Sequence, residues 1–246
     1  MKNSTLRPRE DHVAELTRGQ RLPLDPIADI HLDVIFETLT RTWEDLLDER
    51  YQIVAEGSEA EINALLESRL NNLWRTDPLW SQLVTSVARG KESLSFDGVH
   101  LEKRPDLSIY LTGKHPSFPI VVECKIIDHA SGKGVDLYCA NGVARFIAGE
   151  YAWSNREAIL IAYIRDDATV EQNLLPVLAA GTQRAPDPWQ TNRLPMVAAG
   201  LRSVVSSSNH YRIFNYPSSV SMAAPGDIVL WHLWLKKCQC ESPLVS

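Results

Sequence analysis

The sequence predicts an α/β domain built around a mixed sheet, and three observations carry that expectation. Two long stretches before residue 75 repeat apolar residues at helical spacing. From about residue 94 the pattern changes to short alternating or continuous apolar runs bounded by turn residues. Helical patterns then return between strand-like runs, giving the order helix, helix, strands, helix, strand, loop, strands. With 246 residues, 44% of them apolar and 23% charged, the chain can bury a sizeable core and is not a disordered polymer.

Residues 1–30 read as an extended or loosely packed arm, rich in charge and containing Pro8, Pro23 and Pro26. The remaining 31–246 read as a single domain, with a core at about 55–165 and C-terminal strands at about 210–235. In the first helix Leu32, Ile35, Phe36, Leu39, Trp43, Leu46 and Leu47 fall at helical spacing. Its broad apolar face suits a core, and would also suit a homodimer interface. The second helix, 58–74, opens with Ser58 as N-cap and Glu61 three residues later, the pattern of a capping box. Ile62, Leu65, Leu66, Leu70 and Leu73 form its apolar stripe.

Strands follow. SLSFDGVHLEK reads as a strand pair around Asp97-Gly98, LSIYLT alternates, and PIVVECKIID is the most strand-like run of all. A helix is expected within VDLYCANGVARFIAGEYAW, although Gly142 and Gly149 weaken the pattern. EAILIAYIRD is a buried strand, EQNLLPVLAAG a short helix, and APDPWQTNRLP a proline-rich loop. HYRIFNY and DIVLWHLWL read as strands that complete the sheet.

Several function classes are excluded. No apolar run approaches bilayer length, and the polar N-terminus lacks the apolar centre of a signal peptide, so a cytoplasmic protein without membrane contact is expected. Cys124, Cys139, Cys238 and Cys240 do not make a disulfide framework, and the CxC of Cys238 and Cys240 lacks a second zinc knuckle. The net charge of −6 argues against a surface coated for phosphate binding, though not against a local basic patch. There is no GxSxG and no glycine-rich phosphate loop. SGKG at 131–134 is a short turn whose Lys133 could reach a phosphate.

The chemistry concentrates in VVECKIID, residues 121–128. Glu123 and Lys125, two apart, project from one face of an apolar strand, and Cys124 from the other. Upstream, Arg104-Pro105-Asp106 opens the preceding strand. A hairpin between 107–112 and 119–127 would bring the Asp106 carboxylate to Glu123 and Lys125. Two carboxylates and the Cys124 backbone carbonyl make a set of hard oxygen ligands suited to Mg²⁺. A lysine beside them can orient or help deprotonate a water and offset charge on a phosphate.

Pro105-Asp106, a hairpin, and then Glu123-Cys124-Lys125 resemble the PD-(D/E)XK nuclease superfamily. The resemblance spans roughly residues 55–165 and includes the order of elements: a helix before the strands, a helix after them, then another strand. It implies a restriction-endonuclease-like core. It also implies phosphodiester hydrolysis dependent on Mg²⁺, for which Mn²⁺ can substitute, with DNA expected ahead of RNA. Asp106 and Glu123 would bind the metal, Lys125 would assist the attacking water, and a Glu of the first core helix would complete the site. Glu59 fits that last role better than Glu61. On a helical wheel it shares the side of Ile62, Leu66 and Leu73, whereas Glu61 caps the helix.

Other residues carry two readings each. Arg145 could reach a phosphate or pair with Glu150 or another acid. His210 and Arg212, alternating in SSSNHYRIF, could approach nucleic acid or simply face solvent. Tyr138 and Tyr151 stack or pack. His232 reads as a core histidine and His129 as a loop residue. The alternative to an enzyme is a catalytically inactive module of the same fold that binds nucleic acid or a protein partner.

Overall fold

The computed structural model describes residues 10–92, 94–98, 104–201 and 205–237. Helix α1 is Glu10–Leu16, α2 Asp29–Glu56, α3 Glu59–Asn72 and α4 Pro78–Leu83. Strands β1 (Val84–Arg89), β2 (Leu107–Leu111) and β3 (Ile120–Ile127) follow. A broken helical run comes next: α5 (Val135–Tyr138), a π-turn (Cys139–Val143) and α6 (Ala144–Ile147). Then come β4 (Glu157–Ile164), a second π-turn (Val170–Leu174), α7 (Leu175–Thr182), β5 (Thr191–Val197), β6 (Ser206–His210) and β7 (Ile228–Lys236).

The seven strands form one mixed sheet in the order β1-β2-β3-β4-β7-β6-β5. β3, β4 and β7 run parallel in its centre, and the outer pairs are antiparallel. All eight residues of β4 are buried, because helices cover the centre of the sheet on both faces. One face packs Val122, Cys124, Ile126, Ile159, Ile161 and Tyr163 against α2 and α3. The other packs Val121, Ile127, Leu160 and Leu230 against the α5–α6 run and α7.

The apolar stripe of α2 is core. Leu32, Ile35, Phe36, Leu39, Trp43 and Leu46 are all buried against the sheet, so that stripe is spent inside the chain. The helix outruns the expected 31–47, bending at Arg50 (φ −137°, ψ 31°) before ending at Glu56. At its end Arg165, just after β4, donates to the carbonyls of Val54 and Gly57. This clamp fixes the short turn into α3. The Ser58–Glu61 capping box is present as expected, and buried Asn63 accepts from Tyr163 Oη at 2.6 Å. Together they hold the first turn of α3, and so Glu59, against the sheet.

Several expectations need correction. The N-terminal segment is not a loose arm along its described part. Val13 and Leu22 are buried with Phe118, Trp153, Phe214 and Tyr216, and Leu24 N–H donates to the Ser154 carbonyl at 2.8 Å. β1 lies before residue 94, where no strand was expected; VTSVAR has only two core-facing valines to announce it. Residues 94–98 form coil and a turn, and the remainder of the expected strand pair, 99–103, lies outside the described residues, as do Cys238 and Cys240. The expected proline-rich loop contains β5, a register-shifted edge strand that tolerates Pro195. HYRIFNY is not a strand beyond His210, whose neighbours Ser206–Asn209 supply β6 instead. The helix sought in 137–153 ends at Ile147, and Gly149 (φ +72°) turns the chain.

Gly149 also sits against an aromatic ring: a Cβ there would lie 2.6 Å from two ring carbons of Phe214. Gly149→Ala should therefore destabilise the fold by about 3 kcal/mol, combining left-handed strain with overpacking. Urea unfolding checks this; an unchanged midpoint would refute it. Among the described residues no helix is long and apolar enough to cross a membrane.

Candidate active site

The site forms where the sheet opens. β2 pairs with β3 through only three residue pairs, ending at Leu107–Val122. Beyond Val122 no strand among the described residues lies beside the outer edge of β3, and its backbone groups need other partners. Side-chain carboxylates supply them. Asp106, immediately before β2, accepts from Cys124 N–H at 2.8 Å, and Glu59 accepts from Ile126 N–H at 3.1 Å. Two residues 47 positions apart are thus fixed by one strand's unpaired N–H groups.

Lys125 lies at the centre. Its Nζ is 2.8 Å from Glu123 Oε1, 3.3 Å from Glu59 Oε1 and 3.4 Å from Asp106 Oδ2. It also donates to the Cys124 carbonyl at 2.6 Å. The three expected carboxylates and the expected carbonyl therefore converge on one ammonium. Contact with a shared nitrogen keeps the Asp106 and Glu123 oxygens within the about 8 Å beyond which two carboxylates cannot share an ion with 2.0–2.6 Å ligand distances.

Arg145 joins them. From α6 its Nη1 donates to Glu123 Oε1 at 3.0 Å and to Tyr151 Oη at 2.9 Å. Tyr151 in turn donates to the Arg104 carbonyl at 2.9 Å, linking the α6 side of the site to the Pro105-Asp106 segment. Tyr151 was read as packing or stacking, and its hydroxyl is what the sequence reading missed. Only its spacing of six from Arg145 hinted at a shared site.

Glu123 is the buried member, 1% exposed. The π-turn closes beside it: a Cβ on Gly142 would lie only 2.9 Å from Leu160 Cδ2 but at an ordinary 4.0 Å from Glu123 Cγ, so the glycine lets the turn pack against β4 next to the carboxylate. Glu123 Oε1 is shared by Lys125 and Arg145, whereas Oε2 is buried with no hydrogen-bond partner among the described residues. Burial, with the Asp106 charge beside it, pushes the Glu123 pKa up to about 7, against the pull of Lys125 and Arg145. Burial also raises that of Glu59, against the pull of Lys125. Lys125 behaves differently: burial disfavours its charge, but Glu123, Asp106 and Glu59 outweigh burial and hold its pKa above the ordinary range. The ammonium is thus a firm cation, while the deepest carboxylate is poised between charge states.

Two expected nucleic-acid contacts do not belong here. His210 is fully buried; its Nδ1 bonds the Trp189 carbonyl and its Nε2 the Ser208 hydroxyl, both at 2.7 Å. Ser208 also bonds His232 Nε2, and His232 Nδ1 bonds Tyr138 Oη, each at 2.7 Å. This chain ties β6 and β7 to α5, and it accounts for His232 as a core histidine. Arg212 lies beyond β6, with its guanidinium on the carbonyls of Trp153 and Asn155. Both residues were read from strand alternation as outward-facing, but the Trp189 carbonyl and the Ser208 hydroxyl engage one and backbone carbonyls engage the other.

The histidines predict an acid limit. Burial lowers the pKa of His210 to about 4 and of His232 to about 3. The stability they add is full above the ordinary histidine value of 6.5 and is lost as pH falls toward those folded values. Urea midpoints should therefore drop from pH 6.5 to 4, less steeply in His210→Gln, and identical slopes would refute the assignment.

This chain matches no protein-family model, and neither the curated proteins nor the solved structures contain a similar chain.

Proposed function

We propose that this protein is a Mg²⁺-dependent nuclease of restriction-endonuclease-like fold that hydrolyses phosphodiester bonds, with DNA as substrate. The observation that carries this reading is the buried Glu123 Oε2, unpaired among the described residues, set among oxygen ligands beside a lysine held as a cation. An orphaned carboxylate oxygen in a low-dielectric site is costly, and a hard divalent cation is the partner its chemistry suits. Among the described residues no group of three or more His, Cys, Asp or Glu side chains is placed to hold a metal ion. Mg²⁺ does not need one, because it binds through one or two carboxylates and keeps waters of its own.

Asp106, Glu123 and the Cys124 carbonyl would hold the ion. When bound, Mg²⁺ supplies polarisation of the phosphate and an acidified water. The protein does the rest. Lys125, a persistent ammonium, donates to the attacking water or to a phosphate oxygen and offsets the charge that develops there. Glu59 holds Lys125 and the backbone of Ile126 in place. Arg145, braced by Tyr151 and 36% exposed in its side chain, directs the open part of its guanidinium toward a phosphate.

Cleavage of plasmid, single-stranded DNA and RNA, with Mg²⁺ or Mn²⁺ against chelator, tests the reading. Metal-dependent scission abolished by Asp106→Ala supports it, and its absence on every substrate sinks it. That second outcome would favour an inactive module of the same fold, in which Lys125 and Arg145 serve only to neutralise the three carboxylates.

A further inference from the structure

On the face of the sheet that carries Glu123 and Lys125, the α5–α6 run and α7 pack over the centre, whereas over β2 the described residues Leu16, Leu94 and Trp153 wall a cleft instead of filling it. Register places Ser86 beside Tyr110 and Ala88 beside Ser108, and Ser108 beside Val121. Opposed residues share a face, so this floor, exposed at Ser86 and buried at Ser108, continues the face of the candidate active site. Two clefts of about 370 and 430 Å³ lie on it and share Lys91, Tyr110, Pro116 and Pro119 in their walls. The first is bounded by Pro105, the residue before Asp106, and the second reaches Lys114. They form a groove that starts beside the metal-ligand candidates and runs outward along β2.

Its chemistry is uneven in an informative way. The floor is small and flat at Ser86, Ala88 and Ser108, and the half-buried Tyr110 ring stands among them. Lys91 Nζ lies over that ring, 4.7 Å from its centroid, so this flexible side chain must swing from the ring toward a phosphate before a base can stack there. Lys91 and Lys114 are exposed, and Glu92, the one carboxylate among the described residues of the first cleft, is paired with Arg104. A chain of net charge −6 therefore places a cationic groove with an aromatic platform next to its carboxylate site.

We propose that this groove binds single-stranded DNA, with an unpaired base stacked on Tyr110 and flanking phosphates at Lys91 and Lys114. The choice of DNA rests on the nuclease reading of the adjacent site. The choice of a single strand rests on the groove itself. A half-buried aromatic ring in a cleft, once its lysine has moved to a phosphate, offers a stacking surface to an unpaired base, while a duplex keeps its bases stacked on one another. Each cleft is also large enough for a nucleotide-sized ligand.

The test is fluorescence anisotropy of the full chain with labelled oligo(dT) and with a duplex of equal length, both in chelator so that nothing is cut. Oligo(dT) should bind more tightly than the duplex. Tyr110→Ala should weaken oligo(dT) binding about tenfold, and Tyr110→Phe should retain it. Lys91→Ala with Lys114→Ala should reduce the slope of log K against log salt by about 1.4. Circular dichroism melts confirm that the variants are folded. Duplex binding as tight as oligo(dT), tighter binding of oligo(U), or unchanged affinity in Tyr110→Ala overturns the proposal. Binding as expected with no cleavage in Mg²⁺ would instead refute the nuclease reading and leave the groove standing.

Discussion

Lys125→Ala should lower metal-dependent cleavage by about 10²–10³-fold, the scale on which removal of one preorganised charge donor acts, and should also weaken the metal-free fold. Lys125 Nζ serves Glu59, Asp106, Glu123 and the Cys124 carbonyl at once. Without it, three carboxylates face one another around a fully buried Glu123, with Arg145 the remaining cation in contact among the described residues. Breaking a buried ion pair from one side costs about 3–5 kcal/mol. Glu59 and Asp106 are partly exposed, so the lower end, about 3 kcal/mol, is expected. Urea unfolding in chelator reads the stability and plasmid nicking in Mg²⁺ reads the chemistry. Added Mg²⁺ should recover more stability in Lys125→Ala than in the wild type, because the variant's carboxylates lack a cation. An equally active and equally stable variant would remove Lys125 from both roles.

Glu123→Gln should move activity and stability in opposite directions. Cleavage should fall by about 10²–10³-fold, because the amide cannot replace a charged ligand. Stability above pH 7 should rise. With its pKa raised from 4.5 to about 7, Glu123 binds its proton more tightly in the folded protein than in the unfolded chain. The stability this confers is complete below pH 4.5 and is lost as pH climbs through 7. Gln stands in for the protonated form at every pH. The variant should therefore match the wild type near pH 4.5 and exceed it by about 3 kcal/mol at pH 8. A difference that is constant with pH would mean that Glu123 is not the titrating group. The outcome expected here is that of a site kept charged for function at a cost in fold stability.

Much of the site was legible from residue types and spacing. The i, i+2 pair of Glu123 and Lys125 in an apolar strand required a shared face, and Pro105-Asp106 one hairpin upstream required proximity. The wheel of the 58–74 helix distinguished Glu59 from Glu61, and the structure places Glu59 on Lys125 while Glu61 caps Ser58. The stripe of α2 marked a core helix for the same reason: periodicity reports which face is apolar. Where the reading failed, the pattern was local and the deciding contact was remote. Strand alternation made His210 and Arg212 look outward-facing, yet Trp189, Ser208, Trp153 and Asn155 enclose them. β1 and β5 are edge strands with little apolar pattern to detect, since only one neighbour and one face constrain them.

The amino-acid order alone established an α/β chain, the second core helix and its cap, and a Glu-x-Lys strand preceded by Pro-Asp. Each of these follows from short-range geometry, the 3.6-residue and two-residue periods that fix which side chains share a face. The early end of β2 could not be read there, because strand length depends on whether a neighbour continues. That ending leaves the N–H groups of Cys124 and Ile126 to Asp106 and Glu59. Nor could the close approach of Gly142 to Leu160 beside Glu123, or the bridge from Arg145 through Tyr151 to Arg104. Those contacts join segments far apart in the chain, and their energies exist only once packing has excluded water from between them.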